Sequence, residues 1–422
     1  MVKVNSLVKN LVSLGSLQAV NFAIPIITAP YIIRTVGLVE YGSVNVALAL
    51  VSFFSVISDY GFNLSAPRNI SLHRNDREYL SRYVSKVLTC KGLLLLLSLI
   101  IYLVVVFVVK DFKSEWLLFL LTFPTVIGNT LLPTWFYQGM EDVKLFSYIV
   151  IIFRIVFAGV LFIFISETSD YIYVNLINAT GMIGGAVIGL YWMVKRYGLR
   201  FVRPDVDGLR EELKSGFLIF VSNISSILYT FSNLLILNFL SSDKVVVGQY
   251  SVVEKILTMI KQVLVTFSQA VYPHLCNLAT GGFNEVKAFF KKTYLLFLGL
   301  IFGGSIALSL LAPWIIQFFT GKTDDTAVFF LRLVSVIPFI IALNIPFFQI
   351  LTVYNFKKGY SSVLTAAAVL NIALNFILTS AYSAVGTIAS IILTESFIVI
   401  ALFLIFRIRY YQRVSQPDYR PQ

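Results

Sequence analysis

The chain has 422 residues, 58% of them hydrophobic, with 33 basic and 21 acidic side chains and a net charge of +12. A bilayer-crossing helix takes ~20 mostly apolar residues, so this composition supplies about twelve crossings and leaves little for a water-soluble domain. A soluble enzyme is excluded, as are a disulfide framework and a zinc site: Cys90 and Cys276 lie far apart without a C-x-x-C, and His73 and His274 have no companion ligands. No cofactor is expected, and the positive charge is read against membrane topology before nucleic acid.

In chain order, apolar stretches near 11–33, 43–65, 87–109, 116–138, 145–166 and 171–194 predict six membrane helices. Lys3 and Lys9 precede the first as they would in a signal peptide, but no small-residue cleavage site follows, so that span is read as retained. The polar run Lys195 to Ser215 interrupts, and six further spans follow near 217–240, 245–272, 293–318, 327–353, 361–380 and 384–406. The expected organisation is an N-terminal six-helix lobe (1–194), a cytoplasmic connection (195–216), a C-terminal six-helix lobe (217–406) and a cytoplasmic tail (407–422). The fold class is all-α: a polytopic membrane protein of twelve transmembrane helices in two pseudo-symmetric lobes around a central cavity. With the N-terminus cytoplasmic, 24 Lys and Arg residues, Lys91 among them, fall on inner segments, against five (Arg34, Lys110, Lys113, Lys244, Lys322) on outer ones. That asymmetry is what the positive-inside rule demands, and it puts both termini in the cytoplasm.

The six-plus-six order suggests an internal repeat. Val39-Glu40-Tyr41-Gly42-Ser43-Val44 and Val247-Gly248-Gln249-Tyr250-Ser251-Val252 match weakly at an offset of about 206. An even number of spans per half gives both halves one orientation, and such parallel halves commonly enclose a midplane cavity reached alternately from each side. Pro25, Pro30, Pro124, Pro133, Pro338 and Pro346 each remove a backbone donor and are expected to bend their helices. Gly181, Gly185 and Gly189 form a small-x-x-x-small ladder, read as close packing within the lobe.

Polar residues inside hydrocarbon must face protein or a wet cavity, so their placement carries information. Ser222, Ser226, Tyr229 and Asn233 share one face of span seven, Gln18, Asn21 and Thr28 one face of span one, and Ser251, Lys255, Thr258, Gln262 and Gln269 one face of span eight. Asn371 and Asn375 lie one turn apart in span eleven. These stripes are expected to line the cavity; interhelical hydrogen bonding, worth ~0.6–2 kcal/mol each, is the competing reading. Arg154 in span five and Lys255 and Lys261 in span eight are candidate substrate-binding cations, whereas Arg332 sits where it can snorkel to the interface. Asp59, Glu254 and Glu395 are the acids at depth and the candidates for ion coupling, Glu395 foremost, with a neutral structural carboxyl as the alternative. Basic groups outnumber acids there, so the cavity should attract an anion. Arg and Lys recognise phosphate and the amide and hydroxyl stripes suit sugars, which together describe an amphiphile bearing a phosphate and a glycan.

Three motifs carry a family resemblance: Pro30-Tyr31-Ile32-Ile33-Arg34-Thr35-Val36-Gly37 followed by Tyr41-Gly42; Asp59-Tyr60-Gly61-Phe62-Asn63-Leu64-Ser65-Ala66-Pro67-Arg68; and Trp135-Phe136-Tyr137-Gln138-Gly139-Met140-Glu141. With the twelve spans, they resemble the Wzx-type flippases of bacterial polysaccharide synthesis, in the superfamily of the multidrug and toxic-compound (MATE) exporters and the lipid II flippases. The specific motifs lie in the first third; the C-terminal half is similar only in general style. The resemblance implies a V-shaped two-lobe fold in the bacterial inner membrane. It also implies movement of an undecaprenyl-pyrophosphate-linked oligosaccharide, such as an O-antigen unit, from the cytoplasmic to the periplasmic leaflet. Membrane lipid, a polysaccharide polymerase and a chain-length regulator are the partners it suggests, with no nucleic acid, and it adds Arg34 and Asp59 as candidate functional positions. A drug exporter of the same fold would favour cations and an acidic cavity, which the basic excess opposes. A polysaccharide polymerase would show a long outer loop where this chain has short ones, and a glycosyltransferase a soluble domain or an acidic metal motif.

Overall fold

The computed structural model describes residues 23–354 and 356–410, except for the side chains of Leu145, Ser226, Lys357, Lys358, Arg409 and Tyr410. Among the described residues the secondary structure is entirely helical. The chain divides into two compact units, 1–227 and 228–422.

In the first unit, α1 (Ala23–Val36) leads through Gly37 into α2 (Leu38–Asp59). Tyr60 and Gly61 then both take left-handed backbone (φ 49° and 87°), which ends α2 and starts α3 (Phe62–Leu72). Glycine suits the second position twice over, since a Cβ there would also lie 2.5 Å from Ile219. The long α4 (Arg77–Val108) starts at Asp76, whose carboxylate accepts the Tyr79 N–H at 2.9 Å, and is followed by the short α5 (Lys110–Ser114). The predicted fourth span is three short helices, α6 (Trp116–Thr122), α7 (Pro124–Leu131) and α8 (Thr134–Gly139), parted next to Pro124 and Pro133, where the ladder lacks a donor. Then come α9 (Val143–Phe164) and α10 (Val174–Tyr197). Phe157 and Phe146 of α9 lie against Gly181 and Gly189 of α10, so closely that a Cβ at either glycine would stand 2.9 or 2.8 Å from a ring or its Cβ. Buried Asn175 of α10 donates to the Val44 carbonyl and to Thr122, tying α10 to α2 and α6.

The chain passes into the second unit within α11 (Val206–Leu240), followed by α12 (Lys244–Gly281), α13 (Phe283–Phe289), α14 (Leu295–Leu310), α15 (Ala312–Thr320), α16 (Asp325–Val334), α17 (Ile337–Val353) and α18 (Lys357–Ile405). A straight helix of 49 residues would be ~74 Å long, over twice a bilayer core. It is two helices, parted at Ser383 (φ 51°, ψ −134°) and folded back on each other, as Thr379 and Thr387 (2.9 Å apart) and Asn371 and Thr394 (3.3 Å) meet across the bend. The gap between the predicted spans eleven and twelve falls at this bend.

Among the described residues eight helical stretches are long and apolar enough to cross a membrane, and the bent α11 makes a ninth. The stretch Gly359–Ile408 counts there once although Ser383 divides it; α1 is described over only part of its predicted span, and α12, with its many polar residues, is not among the eight. Twelve crossings are consistent with this. A shared detail supports the repeat. In the first unit Ser43 Oγ donates to the carboxylate of Glu115, the residue before α6, at 2.9 Å. In the second, Gln249, 206 positions on, donates to the carboxylate of Asp324, the residue before α16, at 2.9 and 3.0 Å.

The helical hairpin of α18 closes only because residue 386 is glycine. A Cβ there would be 1.9 Å from the Leu378 carbonyl oxygen, so Gly386→Ala must open the hairpin and should destabilise the protein by ~1–3 kcal/mol. Thermal unfolding in detergent should show it, with Gly303→Ala, where a Cβ meets nothing within 4 Å, unchanged.

Candidate functional site

In the first unit the left-handed turn after α2 leaves Asp59 at the helix end, facing α4. Lys91 of α4 meets it with Nζ 2.8 Å from Asp59 Oδ1, and the lysine side chain is 1% exposed against 17% for the carboxylate. Lys91 Nζ also reaches the Thr130 carbonyl at 3.4 Å and stands 5.9 Å from the centre of the Trp135 ring. Two motifs far apart in sequence, Asp59-Tyr60-Gly61 and Trp135-Phe136-Tyr137-Gln138-Gly139, therefore converge on one buried ammonium. The rest of the second motif is placed with equal economy: Tyr137 donates its hydroxyl to the Gly189 carbonyl at 2.7 Å, Gly139 lies flush against Ile70, and Glu141 pairs with Arg74 at 2.8 Å. Next to it, Asp142 holds Arg196 at 2.9 Å and accepts the Tyr197 hydroxyl at 2.6 Å.

Lys91 corrects the reading of it as a topology signal. It lies four residues inside the predicted third span and is held by a carboxylate. The cue was there, since a lysine inside an apolar run is costly unless paired; its partner 32 positions upstream was not visible.

In the second unit Glu395, 4% exposed, is the hub. Tyr229 of α11 donates its hydroxyl to Glu395 Oε1, and Lys261 of α12 approaches the same oxygen at 3.8 Å. A second chain runs alongside: Asn375 donates to Asn233 Oδ1 at 2.5 Å, Asn233 to the Tyr229 carbonyl at 3.2 Å, and Thr379 to Asn375 Oδ1 at 2.6 Å. Asn371 donates to Thr394 at 3.3 Å. Asn371 and Asn375 are fully buried, so this network joins α11 to both arms of α18 inside the unit. Five of the predicted residues, Tyr229, Asn233, Lys261, Asn371 and Asn375, thus gather around or beside Glu395.

The others stand elsewhere. Arg34 is exposed near the end of α1, Arg154 is half-buried on α9, and Glu254, Lys255 and Gln262 are half-buried on α12. Arg332 is exposed at the end of α16. Gln18, Asn21 and the side chain of Ser226 lie outside the described residues. One feature was not anticipated, an open groove of about 920 Å³ along the first arm of α18 beside Ser361, Ser362 and Thr365. Among the described residues no three His, Cys, Asp or Glu side chains converge as a metal would require.

Helical units crossed by membrane-length segments, with charged and amide groups paired at depth, define a polytopic membrane protein built around internal polar networks. The chain belongs to the family described as polysaccharide biosynthesis protein, whose model matches residues 7–278. It is 28% identical over 405 residues to a protein of Escherichia coli (strain K12) named "Putative O-antigen transporter", covering 95% of this chain and 96% of that one. It is 24% identical to a protein of the same name from Shigella dysenteriae, over 94% and 98% of the two chains. Among solved structures, the fold is similar to a lipid II flippase MurJ in an inward closed conformation (TM-score 0.75, 15% identity, 96% of this chain and 89% of that one). It is also similar to an inward-facing multidrug resistance MATE family transporter (TM-score 0.66, 13% identity, 94% and 95%). The resemblance read from the motifs and the MATE-like fold class are both borne out.

Removing one member of the Asp59–Lys91 pair should cost more than removing both. Asp59→Asn leaves an almost wholly buried ammonium without its counter-charge and should destabilise by ~3–5 kcal/mol, whereas Asp59→Asn with Lys91→Met should recover most of the loss. A double-mutant cycle on detergent-solubilised protein, read by thermal unfolding, measures the coupling.

Proposed function

We propose that this protein is a flippase for a lipid-linked oligosaccharide, and that the lipid is undecaprenyl pyrophosphate with an O-antigen or related repeat unit attached. The observation that carries the reading is the set of ionisable groups kept at membrane depth in both units of a chain of this family: Asp59 and Lys91 in one, Glu395 and Lys261 in the other. A protein that only had to sit in the membrane would gain nothing from retaining them. The names of its relatives in Escherichia coli and Shigella dysenteriae point to the same cargo.

The physical task is to move sugars and phosphates past hydrocarbon, where every unsatisfied polar group costs several kcal/mol. In the second unit the half-buried cations Lys255 and Lys261 would meet phosphate by charge-assisted hydrogen bonds and Gln262 would meet the glycan; in the first unit the half-buried Arg154 is a phosphate-binding candidate in its own right, and the polyprenyl tail would stay in lipid. Transport would run from the cytoplasmic to the periplasmic face of the inner membrane by alternating access, with both chain termini cytoplasmic. Glu395 is the coupling group in this scheme. It sits between a phenol that donates to it and an ammonium just beyond direct contact, so a proton gained or lost there changes how firmly α11, α12 and α18 are joined. The protein binds and moves its substrate without transforming it.

Deletion of the gene in a strain without a second such transporter should leave the lipid-linked oligosaccharide on the cytoplasmic leaflet, and the wild-type gene should restore export. Glu395→Gln should fail to restore it, with protein levels maintained because the amide is isosteric. Arg154→Ala and Lys261→Met should each lower export at least tenfold. Undiminished export after deletion would refute the function; full rescue by all three variants would refute the site.

A further inference from the structure

The segment between α10 and α11 is fixed to the first unit over its first half. Gly198 turns the chain back along α4 with left-handed backbone (φ 60°), and its carbonyl accepts from the Arg77 guanidinium. The Arg200 N–H then donates to Ser81 Oγ at 3.2 Å and the Val202 N–H to Ser85 Oγ at 3.0 Å, while Leu199 is buried in the cluster with Tyr83 and Met193. Ser81 and Ser85 are successive turns of one face of α4, so the segment descends beside α4 towards the apolar run that begins near residue 87, ~3 Å beyond Ser85.

With its backbone held and Leu199 inside, this segment leaves Phe201 73% exposed, and Val206, the first residue of α11, is 79% exposed. Between Lys195 and Arg203 there are four cations and no acid, and Arg196 is already engaged by Asp142, while Arg200 and Arg203 are both exposed. One acid, Asp205, falls within residues 200–206 and accepts the Gly208 N–H at 3.1 Å at the start of α11, leaving Arg200 and Arg203 in excess over it, while Asp207, Glu211 and Glu212 follow on α11. Tyr191 and Trp192, exposed one to two turns before the end of α10, mark the aromatic belt at the same boundary. Bulky apolar groups alternating with cations at this depth match a bilayer surface of negative charge, where the rings enter the acyl boundary and the cations meet lipid phosphates.

We infer that residues 200–206 form a membrane-interface anchor for anionic phospholipid, with Arg200 and Arg203 on the headgroup phosphates and Phe201 and Val206 immersed beneath them. The anchor fixes the connecting segment to the bilayer on one side as α4 fixes it on the other, independently of what the protein transports.

The test uses the full chain with Phe201→Cys in a Cys276→Ser background, spin-labelled at position 201 and placed in nanodiscs of phosphatidylcholine alone or with an equal amount of phosphatidylglycerol. Phe201 is exposed, so the change leaves the fold intact, and a label at Ile100→Cys, an exposed position deep in α4, gives the hydrocarbon reference. Collisions with oxygen should exceed those with a water-soluble nickel chelate in the anionic discs, their ratio should fall at least threefold in phosphatidylcholine, and Arg200→Gln with Arg203→Gln should abolish the difference. Water-like accessibility in both discs, or equal immersion in both, would overturn the inference. The readout needs no transport, so its failure leaves the proposed flippase activity standing.

Discussion

Hydrocarbon offers no hydrogen bonds, and the whole arrangement follows from that. Every helix satisfies its own backbone, and every polar side chain at depth has to find a partner inside the protein or reach water. The Lys91 ammonium is enclosed by the Asp59 carboxylate, a carbonyl and the face of Trp135; the Glu395 carboxylate is enclosed by a phenol, with an ammonium close by. Local irregularities serve these pairings. The left-handed turn at Tyr60 and Gly61 presents Asp59, and the bend at Ser383 folds α18 so that its two arms share one polar seam. Removing the backbone irregularity would leave the side chains correct in type and wrong in place.

Segment length and hydropathy are enough to predict the eight or nine membrane-length stretches among the described residues, because a membrane helix is a local property of ~20 residues. Proline locates the interruptions at Pro124 and Pro133 for equally local reasons, whereas the break at Tyr60 and Gly61, inside the predicted second span, was not expected. Partnerships were less legible. The spacing of Asn371 and Asn375 announced a polar face, but whether it met water or another helix depends on Asn233 and Thr394, which lie 142 and 23 positions away from their respective partners. Lys91 was hidden by its company: next to Lys86 and Arg82 it looked like one more cytoplasmic charge, and only packing separates it from them.

The two units solve the same problem with different chemistry. Both tie the start of an even-numbered span to an acid that precedes another helix, through Ser43 and Glu115 in one and Gln249 and Asp324 in the other. Their deep networks have no such correspondence: a tight ion pair under a tryptophan on one side, a chain of amides and hydroxyls ending in a carboxylate on the other. The two interiors also differ in tightness: Lys91 stands 2.8 Å from Asp59, whereas Lys261 stands 3.8 Å from Glu395.

The most direct measurement is reconstitution of the purified protein into proteoliposomes containing a fluorescent undecaprenyl-pyrophosphate oligosaccharide, with the outer leaflet assayed by a glycan-cleaving enzyme that cannot cross the bilayer. On this account the wild-type protein makes the whole labelled pool cleavable within minutes, and Glu395→Gln leaves about half of it protected, as protein-free vesicles do. Protection of half the pool with the correctly folded wild-type protein present would contradict the account at its centre.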